Sequence, residues 1–219
     1  MTPIGGVLFD FGHTLFETGS SVDFIVDWSA RAGRPIEADE AFSLWEAARV
    51  ASRTPEEIAK GRDRTAALHH TCWTALWQPL DALCPGLADE LHRYESSPAG
   101  WQPYSDTESV LRAVRARGLG VAVVSDVAFD LRLILGHYGL GDLVDSYVLS
   151  YERGSIKPDG KLFGIACDEL GISTAAALMV GDNPVNDGVA VTVGIRTLLL
   201  PIPSAGQPRG LSAVLDLLD

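Results

Sequence analysis

Residues 7–15 read Val-Leu-Phe-Asp-Phe-Gly-His-Thr-Leu, an apolar run that stops on an acid and a glycine turn. Near-continuous hydrophobicity over Gly6 to Phe11 suits a strand buried on both faces, which is the pattern of a parallel sheet. Four more runs of this kind lie at Leu119 to Ser125, Ser146 to Ser150, Ala176 to Gly181 and Ile195 to Leu200. Helical periods fall at Ser105 to Arg117, Asp130 to Tyr138, Gly160 to Leu170 and Pro184 to Val193, and Ser212 to Leu218 closes the chain. Strands alternating with helices of that length predict an α/β fold, a Rossmann-like parallel sheet flanked by helices.

The stretch from Thr18 to Gly100 holds no convincing strand. Its Trp, Ala, Leu and Glu recur at helical spacing, with breaks at Gly33-Arg34-Pro35, Thr54-Pro55 and Cys84-Pro85-Gly86. Four helices forming an inserted α-helical cap are expected there. Ser96-Ser97-Pro98-Ala99-Gly100 has the composition of a hinge leading back to the core. The expected division is a core of residues 1–17 and 101–219 around a cap of residues 18–100.

The chain has 219 residues, 47% of them hydrophobic, enough to bury a substantial core. A net charge of -12 repels polyanions, which argues against nucleic acid and anionic membrane surfaces as partners. No basic n-region precedes the first apolar run, and no apolar stretch reaches about 18 residues, so neither a signal peptide nor a membrane span is expected. Cys72, Cys84 and Cys167 show no metal-type spacing and are read as buried or neutral thiols of a reducing, cytoplasmic setting. Nothing in the sequence sets the oligomeric state.

In an open parallel sheet, ligands bind outside the carboxyl ends of the strands. The residues standing there are Asp10 and Thr14 after the first strand, Ser125 after the second, Lys157 after the third, and Asp182 and Asp187 after the fourth. Carboxylates, hydroxyls and a lysine at successive strand ends form a cage for a divalent cation and a phosphoryl group. Each residue also has an ordinary structural reading. Asp182-Asn183-Pro184 has helix-cap composition, Lys157-Pro158-Asp159-Gly160 has turn composition, and Ser125 can bond local backbone. Trp28, Trp45, Trp73 and Trp77 read as the core of the helical segment rather than as a stacking surface.

Taken together, the segments resemble a known family. VLFDFGHTL is similar to the first motif of the haloacid dehalogenase superfamily, VAVVS to the second, GSIKPDGKLF to the third and LMVGDNPVNDGVA to the fourth, in the family's order. The helical insertion after the first motif is similar to that of phosphoglycolate phosphatases and haloacid dehalogenases. The resemblance implies a hydrolase in which Asp10 attacks phosphorus in a small phosphorylated substrate, forming an aspartyl phosphate. It implies Mg²⁺ held by Asp10, Asp182 and the carbonyl of Gly12, with Asp187 supporting the metal site or orienting Lys157. Lys157, Thr14 and Ser125 would stabilise the transferring group.

One position departs from the family. Its phosphatases carry an acid two residues after the nucleophile, as proton donor and water activator, and here that residue is Gly12. His13, where the family usually has Gly, and Glu17 are the nearby candidates for replacement. Dehalogenases and phosphonoacetaldehyde hydrolases also lack that acid. The former depart from the Gly181-Asp182 pattern kept here, and the latter need a cap lysine for a Schiff base, for which Lys60 is the sole candidate in this segment. A non-catalytic protein binding a phosphorylated metabolite or a partner is the remaining alternative. Arg49, Arg53, Arg62 and Arg64 could meet an anionic substrate group or form a solvated helix face.

Overall fold

The computed structural model describes residues 2–204 and 207–218. In chain order its elements are β1 (Gly6–Phe9), β2 (Phe16–Thr18), α1 (Ser21–Arg31), α2 (Ala38–Ala51), α3 (Pro55–Ala59), α4 (Ala66–Leu76), α5 (Gln78–Leu83), α6 (Leu87–Glu95), β3 (Trp101–Pro103), α7 (Thr107–Ala116), β4 (Gly120–Ser125), α8 (Leu131–His137), β5 (Ser146–Leu149), α9 (Ser150–Arg153), α10 (Lys161–Leu170), β6 (Ala177–Gly181), β7 (Arg196–Leu199) and α11 (Ser212–Leu215). Five strands form a parallel sheet in the order β5-β4-β1-β6-β7. The order of strand addition reverses around β1, so the loops leaving β1, β4 and β6 converge at one end of the sheet.

Burial on both faces explains the continuous apolar runs. Val7, Phe9, Val121 and Val123 join one cluster with residues of α7, α8 and α11, while Leu8, Ala122 and Val124 join a second beneath α10. Adjacent residues thus enter opposite layers, as the two-residue period of a strand requires.

The stretch between β2 and β3 contains six α-helices where four were expected. The extra breaks arise at caps: Thr54 and Thr65 side chains each accept a backbone N–H of a new first turn, and α5 begins at Gln78-Pro79. These helices bury a cluster of their own around Ile25, Trp77, Leu80, Leu87 and Leu91. The antiparallel β2–β3 pair, not foreseen in the sequence, stands where the chain leaves for the helices and returns.

The expected helix at Pro184 to Val193 is instead a turn followed by a 3-10 segment, Gly188–Val193. Asn183 Oδ1 accepts from the N–H groups of Val185 (2.9 Å) and Asn186 (3.1 Å), and this local bonding competes with an α-helical first turn. Among the described residues no helix is long and apolar enough to cross a membrane. The three cysteines are buried free thiols.

Candidate active site

Asp10 follows β1 directly, and its backbone N–H donates to Val180 O at 2.9 Å, so the sheet ladder fixes where its carboxylate emerges. Lys157 Nζ donates to Asp10 Oδ1 at 2.5 Å and to Asp187 Oδ1 at 2.6 Å, and Ser125 Oγ donates to the same Asp10 oxygen at 3.2 Å. Lys157 and Asp187 are 2% and 0% exposed, where an unpaired charge would be heavily penalised. Burial works against the Lys157 charge, but Asp10 and Asp187 outweigh it and hold the ammonium above the usual lysine range. Burial pushes the Asp10 carboxyl up to about 7, against the pull of Lys157.

Asp187 is fully engaged by the protein. Its second oxygen accepts from the N–H groups of Asp182 (3.0 Å) and Asn183 (2.9 Å), so one buried side chain orients both the lysine and the loop after β6. A Cβ at Gly181 would overlap this carboxylate, which is why the strand must end on glycine. Carboxylate oxygens of Asp10, Asp182 and Asp187 lie within 4.8 Å of one another. Asp182 is pushed upward by burial and then by Asp187. Three converging hard-oxygen groups facing one ammonium could hold a divalent cation.

Above this cluster opens a cavity of about 360 Å³. Its core wall includes Asp10, Gly12, His13, Ser125, Asp126, Lys157 and Asp182, and its helical wall includes Trp45, Arg49, Arg53, Arg62, Asp63, His69 and Trp73. His13 is the one described non-glycine residue with positive φ, 56°, which accounts for glycine being the easier choice there. Burial, opposed by Asp182 and aided by Arg49, Arg209 and Arg53, lowers its pKa.

A family model for haloacid dehalogenase-like hydrolases matches residues 4–190. The chain belongs to that family. This hydrolase is 36% identical over 134 residues to haloacid dehalogenase-like hydrolase domain-containing protein 3 of Homo sapiens, a match covering 60% of the chain and 52% of the relative. The chain thus spans about half the length of that relative. It is 30% identical over 135 residues to a phosphoglycolate phosphatase of Rhodospirillum rubrum, covering 59% of the chain and 56% of that enzyme. A solved phosphatase of the family from Thermococcus onnurineus superposes with a TM-score of 0.67 over 98% of both chains at 23% identity. A solved haloacid dehalogenase does so with a TM-score of 0.71 at 17% identity, so the fold alone does not choose between the two chemistries.

The hydrolase brings Asp10, Ser125, Lys157, Asp182 and Gly12 to one cavity, with Asp187 directly behind. Thr14 is not among the lining residues; it is fully buried and its hydroxyl has no partner among the described residues. Glu17 does not line the cavity either, whereas Thr18 does, because successive residues of β2 face opposite sides. Arg64 turns to Gly154 O and Asp159 instead of the cavity. Lys60 is exposed, does not line the cavity, and is bonded to Glu57 at 2.5 Å, which raises its pKa, the reverse of what imine formation needs. Trp77 is buried as expected, yet Trp45 and Trp73 reach the cavity wall.

Three contributors went unread in the sequence: Arg209, Trp101 and Asp63. Arg209 is 3% exposed and donates to the carbonyls of His13, Pro201 (2.7 Å) and Leu200 (2.8 Å). Trp101 and Asp63 line the cavity from distant segments. Nothing in the local sequence of these three marks them.

Proposed function

We propose that this hydrolase is a Mg²⁺-dependent phosphatase acting on a small phosphorylated metabolite through an aspartyl phosphate on Asp10. The observation that carries the reading is the buried Asp10–Lys157–Asp187 chain beside Asp182. A nucleophile attacking carbon needs no divalent cation, whereas attack on an anionic phosphoryl group needs its charge offset. The phosphoglycolate phosphatase among the relatives supports the same choice.

Asp10, Asp182 and the Gly12 carbonyl would hold Mg²⁺, which when bound draws negative charge from the transferring group. Lys157 holds Asp10 in its attacking orientation and offsets charge on the phosphoryl oxygens. Ser125 restricts the Asp10 carboxylate through its hydrogen bond, and Asp187 keeps Lys157 in place. Residues 18–100 act as a cap that closes the cavity and excludes water, with residues 1–17 and 101–219 as the catalytic core. Free buried cysteines support a cytoplasmic setting.

The test is a small-metabolite phosphatase screen with and without Mg²⁺, using Asp10→Asn and Asp182→Ala as controls. Phosphate release that requires Mg²⁺ and disappears in both variants is expected. Metal-independent halide release from a 2-haloacid would replace this reading with dehalogenation.

A further inference from the structure

With glycine at position 12, the phosphatase chemistry on which this inference rests lacks a proton carrier, and nearby residues do not supply one. Glu17 does not line the cavity, and His13 stands in a left-handed turn whose carbonyl is held by Arg209. Asp126 lines the cavity, but its Oδ1 is committed to the Lys157 backbone N–H at 2.9 Å.

We propose that Asp63, carried by the helical segment, is the catalytic acid/base of this hydrolase, with His69 positioned behind its carboxyl.

The turn holding Asp63 is clamped over the strand ends. Its carbonyl accepts from Ser150 Oγ at 2.6 Å, and Ser150 follows β5 directly. Next to it, Arg64 Nη1 donates to Gly154 O at 3.2 Å, at the start of the loop that carries Lys157. The first contact uses the backbone of Asp63 and the second the side chain of Arg64, so neither engages the Asp63 carboxyl, and Asp63 lines the cavity shared with Asp10 and Lys157.

Behind the carboxyl runs a file of titratable groups. His69 Nε2 lies 3.7 Å from Asp63 Oδ1, and His69 Nδ1 shares a hydrogen bond of 2.9 Å with His92 Nε2. The His92 ring meets His70 edge-on at 4.8 Å between centroids, and the exposed His70 bonds Asp89 at 2.8 Å. The charged groups facing Asp63 are Arg62 on its own turn at 4.0 Å and Asp126 beyond β4, and the titratable His69 faces it from α4. Burial, opposed by Arg62 and aided by Asp126, raises the Asp63 pKa to about 6, a value suited to both donating and accepting a proton near neutrality.

The proton balance closes over two steps. As the bond from Asp10 to phosphorus forms and the ester P–O bond breaks, the Asp63 proton passes to the leaving oxygen. Asp63, now a carboxylate, then takes a proton from the water that attacks phosphorus. The Asp10–phosphorus bond breaks, and inorganic phosphate leaves with both side chains restored.

The experiment measures kcat and KM across pH for an alkyl phosphate and for 4-nitrophenyl phosphate, in Mg²⁺-loaded parent, Asp63→Asn, His69→Asn, Asp126→Asn and Asp63→Asn/Gly12→Asp. Asp63→Asn should lower kcat on the alkyl ester by about 100-fold or more, lower it less on the aryl ester, and flatten the pH limb near 6. Adding Gly12→Asp should recover alkyl-ester turnover, which repair of a merely structural defect would not do. His69→Asn should move the limb with KM unchanged. Alkyl-ester turnover of Asp63→Asn within two-fold of parent, equal losses on both esters without rescue, or a limb lost in Asp126→Asn instead would each overturn the assignment. Parent activity that vanishes in Asp10→Asn but not in Asp63→Asn sinks this inference alone. A parent that hydrolyses neither ester sinks the phosphatase reading with it.

Discussion

Arg209 Nε donates to the backbone carbonyl of His13, across 196 positions of sequence. His13 occupies a left-handed conformation that a side chain makes costly, and it lies three residues beyond Asp10. A nearly buried guanidinium from the C-terminal segment therefore holds the loop on which the nucleophile depends. Arg209→Ala leaves the carbonyls of His13, Leu200 and Pro201 without that donor. A loss of about 3 kcal/mol or more in unfolding free energy is expected, since bonds to a charged donor are worth roughly 1.5–3 kcal/mol each. Denaturant midpoints measure it, and a loss under about 1 kcal/mol would show that the loop holds itself.

Thr14 gives the opposite sign. Its hydroxyl is buried without a partner among the described residues, so Thr14→Val should stabilise the protein by about 1–3 kcal/mol, the cost of a buried unmade hydrogen bond. Kinetics of the same variant read out its part in catalysis. Unchanged kcat is expected from its absence from the cavity wall, and a ten-fold fall would restore Thr14 to the phosphoryl-binding group.

Gly12→Asp has room to fold. Gly12 is not among the positive-φ residues, and a Cβ there would meet the Trp101 ring at 3.6 Å, an ordinary contact. Turnover of alkyl phosphates should rise about ten-fold or more when Gly12→Asp is added to Asp63→Asn, the lower range of what a positioned acid contributes, and change little when it is added to the parent, which keeps Asp63. If the folded double variant gains nothing while His13→Ala abolishes parent turnover, His13 carries the proton.

Acid should weaken the His69–His92 contact. Burial, reinforced by neighbouring histidines and arginines, lowers His69 to about 3 and His92 to about 4, below the unfolded value of 6.5. The folded state therefore binds fewer protons. The stability this contributes is complete above pH 6.5 and is lost as pH falls from there towards 4. Raised carboxyls such as Asp10 and Asp63 act in the opposite sense over the same range, so the measurable quantity is a difference. The unfolding free energy of parent minus His69→Asn should shrink by about 2 kcal/mol between pH 7 and 4.5, because each tenfold change in proton affinity is worth about 1.36 kcal/mol. A constant difference would mean that the pair titrates normally.

Residue order alone dictates the sheet and the polar groups at its strand ends. Strands buried on both faces must be apolar throughout, so β1, β4 and β6 are legible as short runs, the edge strands β5 and β7 from the apolar residues that flank or end them, and Asp10, Ser125, Lys157 and Asp182 as the polar groups at or beyond the strand ends. Local bonding misleads at residues 184–193, where Asn183 draws donors away from a helix, and caps divide the helical segment more finely than its periodicity indicates. Other features arise only once the chain is folded. Folding pairs the three-residue strands β2 and β3, turns Glu17 away from the cavity while admitting Thr18, and buries Thr14. It also sets Arg209 against His13, and Asp63 and His69 over the strand ends. Each of these depends on contacts between segments far apart in the chain, whose partners leave no mark in local composition, because a hydrogen bond or a cavity wall is specified by where two backbones meet rather than by the spacing along either one.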